Sequence, residues 1–552
     1  MTLPLLLSPR CRKVAVSQLG GRWGRELNTN DNRAVNRLLM RVTRRAEKAT
    51  PEYLAHTFVP VEPVLSLLES LDNQIIYGRR GTGKTHILKY LAEAKKREGN
   101  VALYFDLRMI GSSGGLYADA SQPLGLRATN LLVDLIEELH NQIRELVENT
   151  STFDEVLDTL IPSLDDIGLA ATQVRVVGNT ESSVTVSAGA ETSSGSNVSV
   201  GLHGSVPSVS ASAGKRRTRS RQLTESRKQS GHEILTVQFG LLGRALASLL
   251  QAMAGRQLWL LLDEWSSIPG DLQPYLADLL RRSFFPVAGI CVKIGALERQ
   301  SHFIDIADSR AEYIGIDLGA DTAASLDLDD FLVFRADRSH AFTFFSQLLY
   351  QHLVVLMSEL GYEFAIKTAG ELREICFAGQ AFDELVRASE GVPRDALNVA
   401  GLAAAIAADK PMTVRNIQMA ARDYFLRDKE GKISDKAQEL LNRIVRDCVR
   451  RETRVLILRR PRESDNYLVQ TLYDNRLIHR IEQGVMIGND YSVKYDLYLV
   501  DFGCFVNILS RGETRAVNDG TDTVSRRLLD GSRAMEKLRS GSVIKLPAGA
   551  AR

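Results

Sequence analysis

The sequence lacks long apolar runs, patterned cysteines and a strong net charge, and each shortage excludes a class of protein. No stretch approaches the roughly 18 uninterrupted apolar residues of a membrane-spanning helix, so we expect no membrane partner. The five cysteines show no C-x-x-C spacing, which argues against a disulfide framework or a zinc site and favours a reducing, cytoplasmic location. A formal net charge of +2 is close to neutral, so a surface for nucleic acid would have to be local.

Residues 78–85 form Gly-Arg-Arg-Gly-Thr-Gly-Lys-Thr and complete the G-x-x-x-x-G-K-[ST] pattern of a phosphate loop. The apolar Gln-Ile-Ile-Tyr before it predicts a buried strand, and the stripe of Ile87, Leu88 and Leu91 after it predicts a helix. A glycine-rich turn at a helix N-terminus directs backbone N–H groups at a phosphate, so the pattern predicts nucleoside triphosphate binding. The expected binding residues are Gly78, Arg79, Arg80, Gly81, Thr82, Gly83, Lys84, Thr85 and His86.

Two carboxylates far downstream complete the expected site. Leu258 to Leu262 predict a fully buried parallel strand that ends in Asp263 and Glu264, the Walker B arrangement. Lys84 would then reach the β- and γ-phosphates, while Thr85 and Asp263 would hold Mg2+. Glu264 is placed to deprotonate the attacking water, so the site would hydrolyse the nucleotide and not only bind it. A buried strand capped by an acidic turn is the alternative interpretation.

Strands and helices alternate around these motifs. Val101 to Asp106 and Val287 to Ala296 predict further buried strands, and helical patterns lie between them. Such alternation predicts an α/β fold with a parallel sheet covered by helices on both faces, which is the arrangement of a P-loop NTPase. At 552 residues the chain is too long for one hydrophobic core, so we expect about three domains.

The order of these motifs resembles that of the AAA+ ATPase superfamily. Near residue 390, the run Ser-Glu-Gly-Val-Pro-Arg-Asp-Ala-Leu-Asn resembles the Gly-x-Pro-Arg sensor-2 motif of its replication-initiator, clamp-loader and STAND-like relatives. The likeness covers about Thr57 to Lys410 and implies a helical lid from which Arg394 reaches the γ-phosphate. It also implies that Phe58 lines the adenine pocket. Because the sequence has no Asn-Lys-x-Asp guanine signature, we expect ATP.

The resemblance further implies an arginine finger, supplied by each subunit to its neighbour in a homo-oligomer. Arg281 and Arg282 end the helix after the Walker B strand, and Arg310 follows the next strand. The sequence slightly favours Arg310 over Arg282. The alternative is that these arginines are solvated and complement a helix dipole.

The chain departs from the family pattern at the sensor-1 position. AAA+ relatives carry Asn, Ser or Thr at the end of the strand after Walker B, whereas this sequence has Lys-Ile-Gly-Ala-Leu-Glu-Arg-Gln there. Glu298 or Arg299 would have to substitute. The identity of the group that polarises the attacking water is therefore left open, and so is the hydrolysis rate.

A low-complexity insertion spans residues 174–221. Apolar residues alternate with Ser, Thr and Gly from Val184 to Ala190 and again from Val198 to Leu202, and this period of two predicts a β-hairpin. Three interpretations are open: a flexible Ser/Gly-rich loop, a protruding hairpin that packs against its neighbours in a ring, and a membrane-inserting hairpin. The run Lys215 to Arg221 carries five positive charges and no aromatic residue, which favours either contact with a duplex DNA backbone or plain solvation.

The C-terminal third predicts a winged helix-turn-helix domain. A helix from Ser434 to Arg451, a strand from Val455 to Leu458, a helix from Tyr467 to Leu477 and two apolar stretches follow in that order. Replication-initiator ATPases resemble this layout. A winged module used for protein contacts is the alternative. The arginines that could meet DNA phosphates are Arg459, Arg460, Arg462 and Arg476.

We therefore expect five regions: a mobile or interacting N-terminal arm (1–50), an ATPase core (51–330), a helical lid (331–428), the winged domain (429–512) and a basic mobile tail (513–552). The expected function is that of an AAA+ or STAND-like ATPase, slow and partner-regulated, that oligomerises with ATP and engages DNA. The alternative is a nucleotide-switched sensor or scaffold, as in bacterial conflict systems, whose partner is a protein.

Overall fold

The computed structural model of the protein has a central parallel sheet, followed along the chain by a helical lid and a C-terminal module. The described residues are 32–61, 63–111, 122–150, 153, 156–171, 173–185, 224–306, 313–323, 325–330, 338–360, 366–451, 453–460, 466–486 and 492–510.

The central sheet contains five of the described strands. They are β1 (Gln74–Tyr77), β2 (Val101–Asp106), β5 (Leu258–Asp263), β6 (Ile290–Ala296) and β9 (Leu326–Asp327). All run parallel, in the order β2-β5-β6-β1-β9. Every residue of β5 and β6 is buried, as their continuous apolar runs predict. Because parallel strands end at the same edge, the loop after β1 and the carboxylates after β5 meet there.

Helices cover both faces of this sheet, which confirms the predicted fold class. One face packs against α5 (Leu124–Asn149), α6 (Leu157–Ala171), α7 (Phe239–Ala252) and α8 (Gln273–Ser283). The other face packs against α3 (Val64–Leu68) and α4 (Lys84–Arg97), and α2 (Pro51–Thr57) contacts α4. A short antiparallel pair, β7 (Ile304–Asp305) and β8 (Ile314–Gly315), follows β6.

The lid consists of α9 (Arg338–Glu359), α10 (Ala369–Cys376), α11 (Ala381–Ser389), α12 (Pro393–Ala407) and α13 (Val414–Tyr424), with α1 (Asn32–Arg41) packed on α12. Val35 and Leu39 of α1 are buried in the lid core. The Asn36 amide donates to the carbonyls of Ala408 and Lys410 at 3.0 Å. Where the sequence predicts a mobile or interacting arm, α1 thus packs in the lid, because an amphipathic helix needs a partner for its apolar face. Residues 1–31 lie outside the described residues.

One helix in the described part of the chain is long and apolar enough to cross a membrane by length and composition alone. It is the stretch Ser339–Glu359 of α9, and 56% of its most apolar window is buried inside the protein. Phe345, Leu349 and Leu353 of this helix lie in the lid core. The apolar composition of this helix is therefore explained by its burial in the lid core.

The C-terminal module has the order of elements that the sequence predicts: helix, strand, helix and hairpin. Its elements are α14 (Asp435–Arg450), β10 (Val455–Arg459), α15 (Tyr467–Asp474), β11 (Ile478–Met486), β12 (Lys494–Val500) and α16 (Phe502–Ser510). The strands form an antiparallel sheet in the order β10-β12-β11. Helix α15 ends at Asp474, three residues before the predicted end, because Arg476 has a left-handed backbone with φ 61°.

The lid and the C-terminal module share one hydrophobic core. Ala400 of α12, Leu441 of α14, Leu456 of β10 and Tyr498 of β12 belong to the same buried cluster. The predicted boundary at residue 428 lies inside the π-helical turn Phe425–Lys429 that continues α13. The module is therefore packed against the lid along the junction.

The two flanks of the insertion form a long antiparallel ribbon. Its strands are β3 (Gln173–Thr185) and β4 (Thr224–Thr236), with Gln173 opposite Thr236 and Thr185 opposite Thr224. Val184 is opposite Glu225, and the rest of the predicted hairpin, from Val186 to Leu202, lies outside the described residues. Residues 186–223, including Lys215 to Arg221, lie outside the described residues.

Replacing residues 186–223 with a short Gly/Ser linker should leave the folded core intact, because the ends of the two strands already lie opposite each other. A shorter loop lowers the entropic cost of closure by only about 0.6 kcal/mol per halving of its length. We expect the melting temperature to change by less than roughly 3 °C. A large fall in a thermal melt would show that the removed segment contributes to the core.

Candidate functional site

The phosphate loop joins β1 to α4 and ends in a helix N-terminus without a side-chain cap. Gly83 is the N-cap residue and has φ 107°, a conformation that side-chain-bearing residues rarely adopt. A Cβ placed on Gly83 would meet no atom within 4 Å, so the loop leaves open space above the helix start. The first N–H groups of a helix have no intrahelical partner and favour an anion. The loop therefore fits a phosphate group.

Lys84, Thr85 and Asp263 converge at this edge of the sheet. The Lys84 ammonium donates to the carbonyls of Gly78 and Arg79. Burial lowers the pKa of Lys84, and the negative charge of Asp263 opposes that shift. The Thr85 hydroxyl donates to Asp263 Oδ2 at 2.6 Å. A hydroxyl and a carboxylate side by side form an oxygen donor set that suits Mg2+.

Glu264 follows Asp263 in a left-handed backbone conformation, φ 60° and ψ 40°. Its N–H donates to Asp263 Oδ1 at 2.9 Å, which holds the turn. Burial and the neighbouring Asp263 charge raise the pKa of Glu264. A strained non-glycine residue beside an open cavity is typical of a functional position. Glu264 is thus placed as a carboxylate with increased basicity.

Arg108 is a site residue that the sequence interpretation missed. Its guanidinium pairs with Asp106 and has an Nη1 atom 3.8 Å from Glu264 Oε1. The signal was available, because Arg108 stands two residues after β2, and β2 ends at the same sheet edge as β5. A cation at that edge balances the carboxylates of the site.

A cavity of about 440 Å³ lies over the phosphate loop, a size typical of small-molecule sites. Its walls come from four parts of the chain: the sheet edge, the segment after α1, the lid and the C-terminal module. The cationic residues that line it are Arg44, Arg45, Arg80, Lys84, Arg108, Arg394, Lys432 and Arg476. The lining also includes the carboxylates of Glu47, Glu264, Asp428 and Asp474. The excess of cations favours an anionic ligand.

An apolar pocket adjoins the phosphate loop and contains two further predicted residues. Phe58 and His86 both line it, together with Leu328 and Phe344. Phe58 stacks on Tyr90 with ring centroids 3.8 Å apart, and its edge faces His86. An aromatic, apolar slot beside a phosphate site is chemically suited to a planar base.

Arg394, the predicted sensor-2 residue, contacts the phosphate loop and lines the cavity. It begins the lid helix α12, and its N–H donates to the Gly81 carbonyl at 3.2 Å. A Cβ on Gly81 would come within 2.8 Å of Arg394 Cβ, so only glycine permits this approach. The Arg394 guanidinium lies 3.3 Å from Glu47, in the segment that follows α1. The lid is therefore in direct contact with the phosphate loop.

Arg79 of the phosphate loop is buried and forms ion-pair contacts with other parts of the chain. Its backbone N–H and its Nε donate to Asp329 at 2.8 Å, and its Nη1 donates to His479 Nδ1 of β11 at 2.7 Å. A guanidinium has no acceptor, so His479 Nδ1 must carry the lone pair. The Nε2 proton of His479 is then donated to Asp501 Oδ2 at 3.3 Å.

The same network continues through the lid. Lys429 bridges Asp501 at 2.6 Å and Asp395 at 2.9 Å, and Arg476 closes the circuit on Asp395. Although burial acts in the opposite direction, the ammonium of Lys429 lowers the pKa of Asp501. We call this set the ion-pair network; it consists of Arg79, Asp329, His479, Asp501, Lys429, Asp395 and Arg476. All of these residues are less than 10% exposed.

Arg476 corrects a prediction. The sequence places it among arginines that could meet DNA, whereas in the structure it is 8% exposed and pairs with Asp395. The short helix α15 directs its C-terminal end towards the phosphate loop, because Asp474, Asn475 and Arg476 all line the cavity. A residue in this position is not available to a DNA backbone.

Arg282 and Glu298, two other predicted residues, do not line the cavity. Arg282 pairs with Asp278 at 2.6 Å and is not part of the lining. The Glu298 carboxylate accepts a hydrogen bond from Arg480 at 2.9 Å. This sensor-1 candidate is therefore engaged by the C-terminal module. Arg310 and Arg462 lie outside the described residues.

The chain matches one protein-family model and is similar to a solved structure. A family model described as ORC-CDC6-like matches residues 42–332, which is more than half of the chain. A chain of the solved "Structure of Drosophila ORC bound to DNA" aligns over 91% of this chain and 95% of its own length, at 12% identity and a TM-score of 0.31. That likeness is too distant to support any detail of the site. No curated protein matches the sequence.

Buried histidines around the cavity predict a loss of stability in mild acid. Burial lowers the pKa of His352 to about 4, with the nearby His86 contributing, against 6.5 for an ordinary histidine. As pH falls from 6.5 to 4, the unfolded chain binds this proton before the folded chain does. We expect His352 to reduce the free energy of unfolding by roughly 3 kcal/mol over that range.

Urea unfolding at pH 7.5 and pH 5 measures this effect. The variant His352→Gln should lose part of the pH dependence, whereas the control His340→Gln, at a half-buried position of the same helix, should keep it. An identical pH dependence in wild type and His352→Gln would contradict the prediction.

Proposed function

This chain belongs to the ORC-CDC6-like family of AAA+ proteins, and from that premise we propose that it binds and hydrolyses ATP with Mg2+. The observation that carries the proposal is the convergence of Lys84, Thr85, Asp263 and Glu264 at one sheet edge below a cation-rich cavity. Loop glycines, a helix N-terminus and a lid arginine support the same conclusion.

Each residue has a role that follows from its chemistry. The N–H groups of the loop and the Lys84 ammonium bind the phosphates, and Arg394 adds a second cation from the lid. Thr85 and Asp263 hold Mg2+, which when bound neutralises charge on the phosphate oxygens. Glu264 accepts a proton from the attacking water, and its raised pKa increases its strength as a base. Phe58 and His86 line the slot for the base.

We also propose that an arginine finger of one subunit acts in trans, at the nucleotide site of its neighbour. Arg282 is 51% exposed at its side chain and stands at the end of α8, away from the cavity of its own subunit. An exposed arginine that cannot serve its own site is suited to a neighbouring one. We assign the finger to Arg310 or Arg282 of an ATP-dependent homo-oligomer.

The nucleotide roles are tested by two substitutions. Lys84→Ala removes the charge that binds the phosphates and should abolish ATP binding. Glu264→Gln keeps the shape of the side chain and should leave affinity unchanged while slowing hydrolysis by on the order of 100-fold. Fluorescent-nucleotide titration and phosphate release measure the two effects. Equal loss of binding in both variants would contradict the assigned roles.

We propose duplex DNA as the partner of the C-terminal module. Arg459 ends β10 and Arg460 follows it; both are exposed, so they are able to meet a phosphate backbone. A protein partner is the second candidate, and the exposed aromatic ring of Tyr467, 77% exposed at the start of α15, favours it. In that case the chain would be a nucleotide-switched sensor or scaffold.

The salt dependence of DNA binding by the full chain separates the two candidates. If Arg459 and Arg460 contact phosphates, changing both to Ala should weaken binding and reduce the slope of log K against log salt by about 0.9 per contact. Arg443 and Arg450 on α14 provide a charge-matched control pair. Absence of DNA binding, with ATP-driven assembly retained, would favour the protein partner.

A further inference from the structure

The C-terminal module brings a guanidinium to the wall of the nucleotide cavity. Arg476 lines that cavity, and its Nη1 atom lies 3.4 Å from the position of a Cβ built on Gly81. The residue is 8% exposed. Its cation is therefore beside the phosphate loop within the same chain, and it comes from a module that follows the ATPase core by more than a hundred residues.

The backbone of Arg476 is held in an unusual conformation. Its φ of 61° is in the left-handed region, where Gly and Asn are the usual residues. Such a conformation is unfavourable for an arginine, and residues held in it cluster at binding sites. The left-handed turn ends α15 and directs Asn475 and Arg476 into the cavity lining.

The partner of Arg476 would stay paired if Arg476 turned away. Asp395 also contacts the Lys429 ammonium at 2.9 Å and accepts from the Tyr424 hydroxyl at 3.1 Å. Breaking a buried ion pair is costly mainly when a charge is left unpaired. Because Lys429 remains, Arg476 is able to exchange Asp395 for another anion without that cost.

The end of strand β6 leaves room in the cavity for the Arg476 guanidinium. Strand β6 ends in Gly295 and Ala296, and Leu297 follows it; none of the three brings a polar side chain to the cavity. A Cβ on Gly295 would lie 2.8 Å from Asp263 Oδ1, so a longer side chain is excluded there. The end of β6 therefore leaves the cavity open to polar groups from other elements, and Arg476 is one of them.

We infer that Arg476 is a phosphate-binding residue of the nucleotide site, supplied in cis by the C-terminal module, and that it exchanges Asp395 for phosphate oxygens. This inference rests on the proposed function, because it requires a nucleotide in the cavity. Its consequence is linkage: nucleotide strengthens the docking of the module by the same factor by which the docked module strengthens nucleotide binding.

Calorimetric titration of the full chain with ADP and with a non-hydrolysable ATP analogue tests the inference. Arg476→Ala should weaken binding roughly tenfold to a hundredfold, the loss typical of a hydrogen bond to a charged group. Arg454→Ala is the matched control. Arg454 is also a buried arginine of the module and pairs with the lid carboxylate of Glu390 at 2.6 Å, but it does not line the cavity. The nucleotide affinity of Arg454→Ala should stay within about threefold of that of the wild type.

Asp395→Asn separates phosphate binding from a purely structural role, and it keeps the test decisive if Arg476→Ala is unstable. It breaks the same ion pair from the other side, so it should leave affinity unchanged or increase it. A loss equal to that of Arg476→Ala, or full affinity in Arg476→Ala, would overturn the inference while the proposed function stands. Absence of binding by the wild-type chain would instead overturn the proposed function and this inference with it.

Discussion

The pairing of Arg79 with Asp329 is the interaction on which the site depends. A buried guanidinium is tolerated only when its donors find acceptors, and those of Arg79 come from two parts of the chain. Asp329 follows the edge strand β9 and accepts from both the backbone and the side chain of Arg79. His479 belongs to the C-terminal module, and Tyr473 of α15 lies under the guanidinium at 5.0 Å. The hydrogen bonds of Arg79 in the phosphate loop are therefore complete only when the module is docked.

This arrangement joins parts of the chain that the sequence presents as separate regions. The ion-pair network runs from the phosphate loop through β11 to the lid and returns to the cavity at Arg476. It contains three carboxylates and three cations besides His479, so its charges balance. The loop-facing surface of the module is thus occupied within the monomer. Arg459 and Tyr467 of the same module are exposed.

Short sequence patterns predicted those parts of the site that depend on residues close together in the sequence. The strand at Leu258–Asp263, the helix after Gly83 and the order of the C-terminal elements follow from apolar runs, glycine spacing and periodicity. The contacts of Asp329, His479 and Arg476 could not be predicted, because each joins residues far apart in sequence through the docking of separate elements. The pairing of Gln173 with Thr236 could not be predicted either, because it joins the two ends of the insertion.

A double-mutant cycle between Arg79 and His479 tests most directly whether the phosphate loop and the C-terminal module are coupled. The free energy of unfolding is measured in urea for wild type, Arg79→Met, His479→Leu and the double variant. The account predicts non-additivity of more than about 1 kcal/mol, because the two side chains share one buried hydrogen bond. Effects that add to within about 0.5 kcal/mol would contradict it, since they would mean that the loop is held without the module.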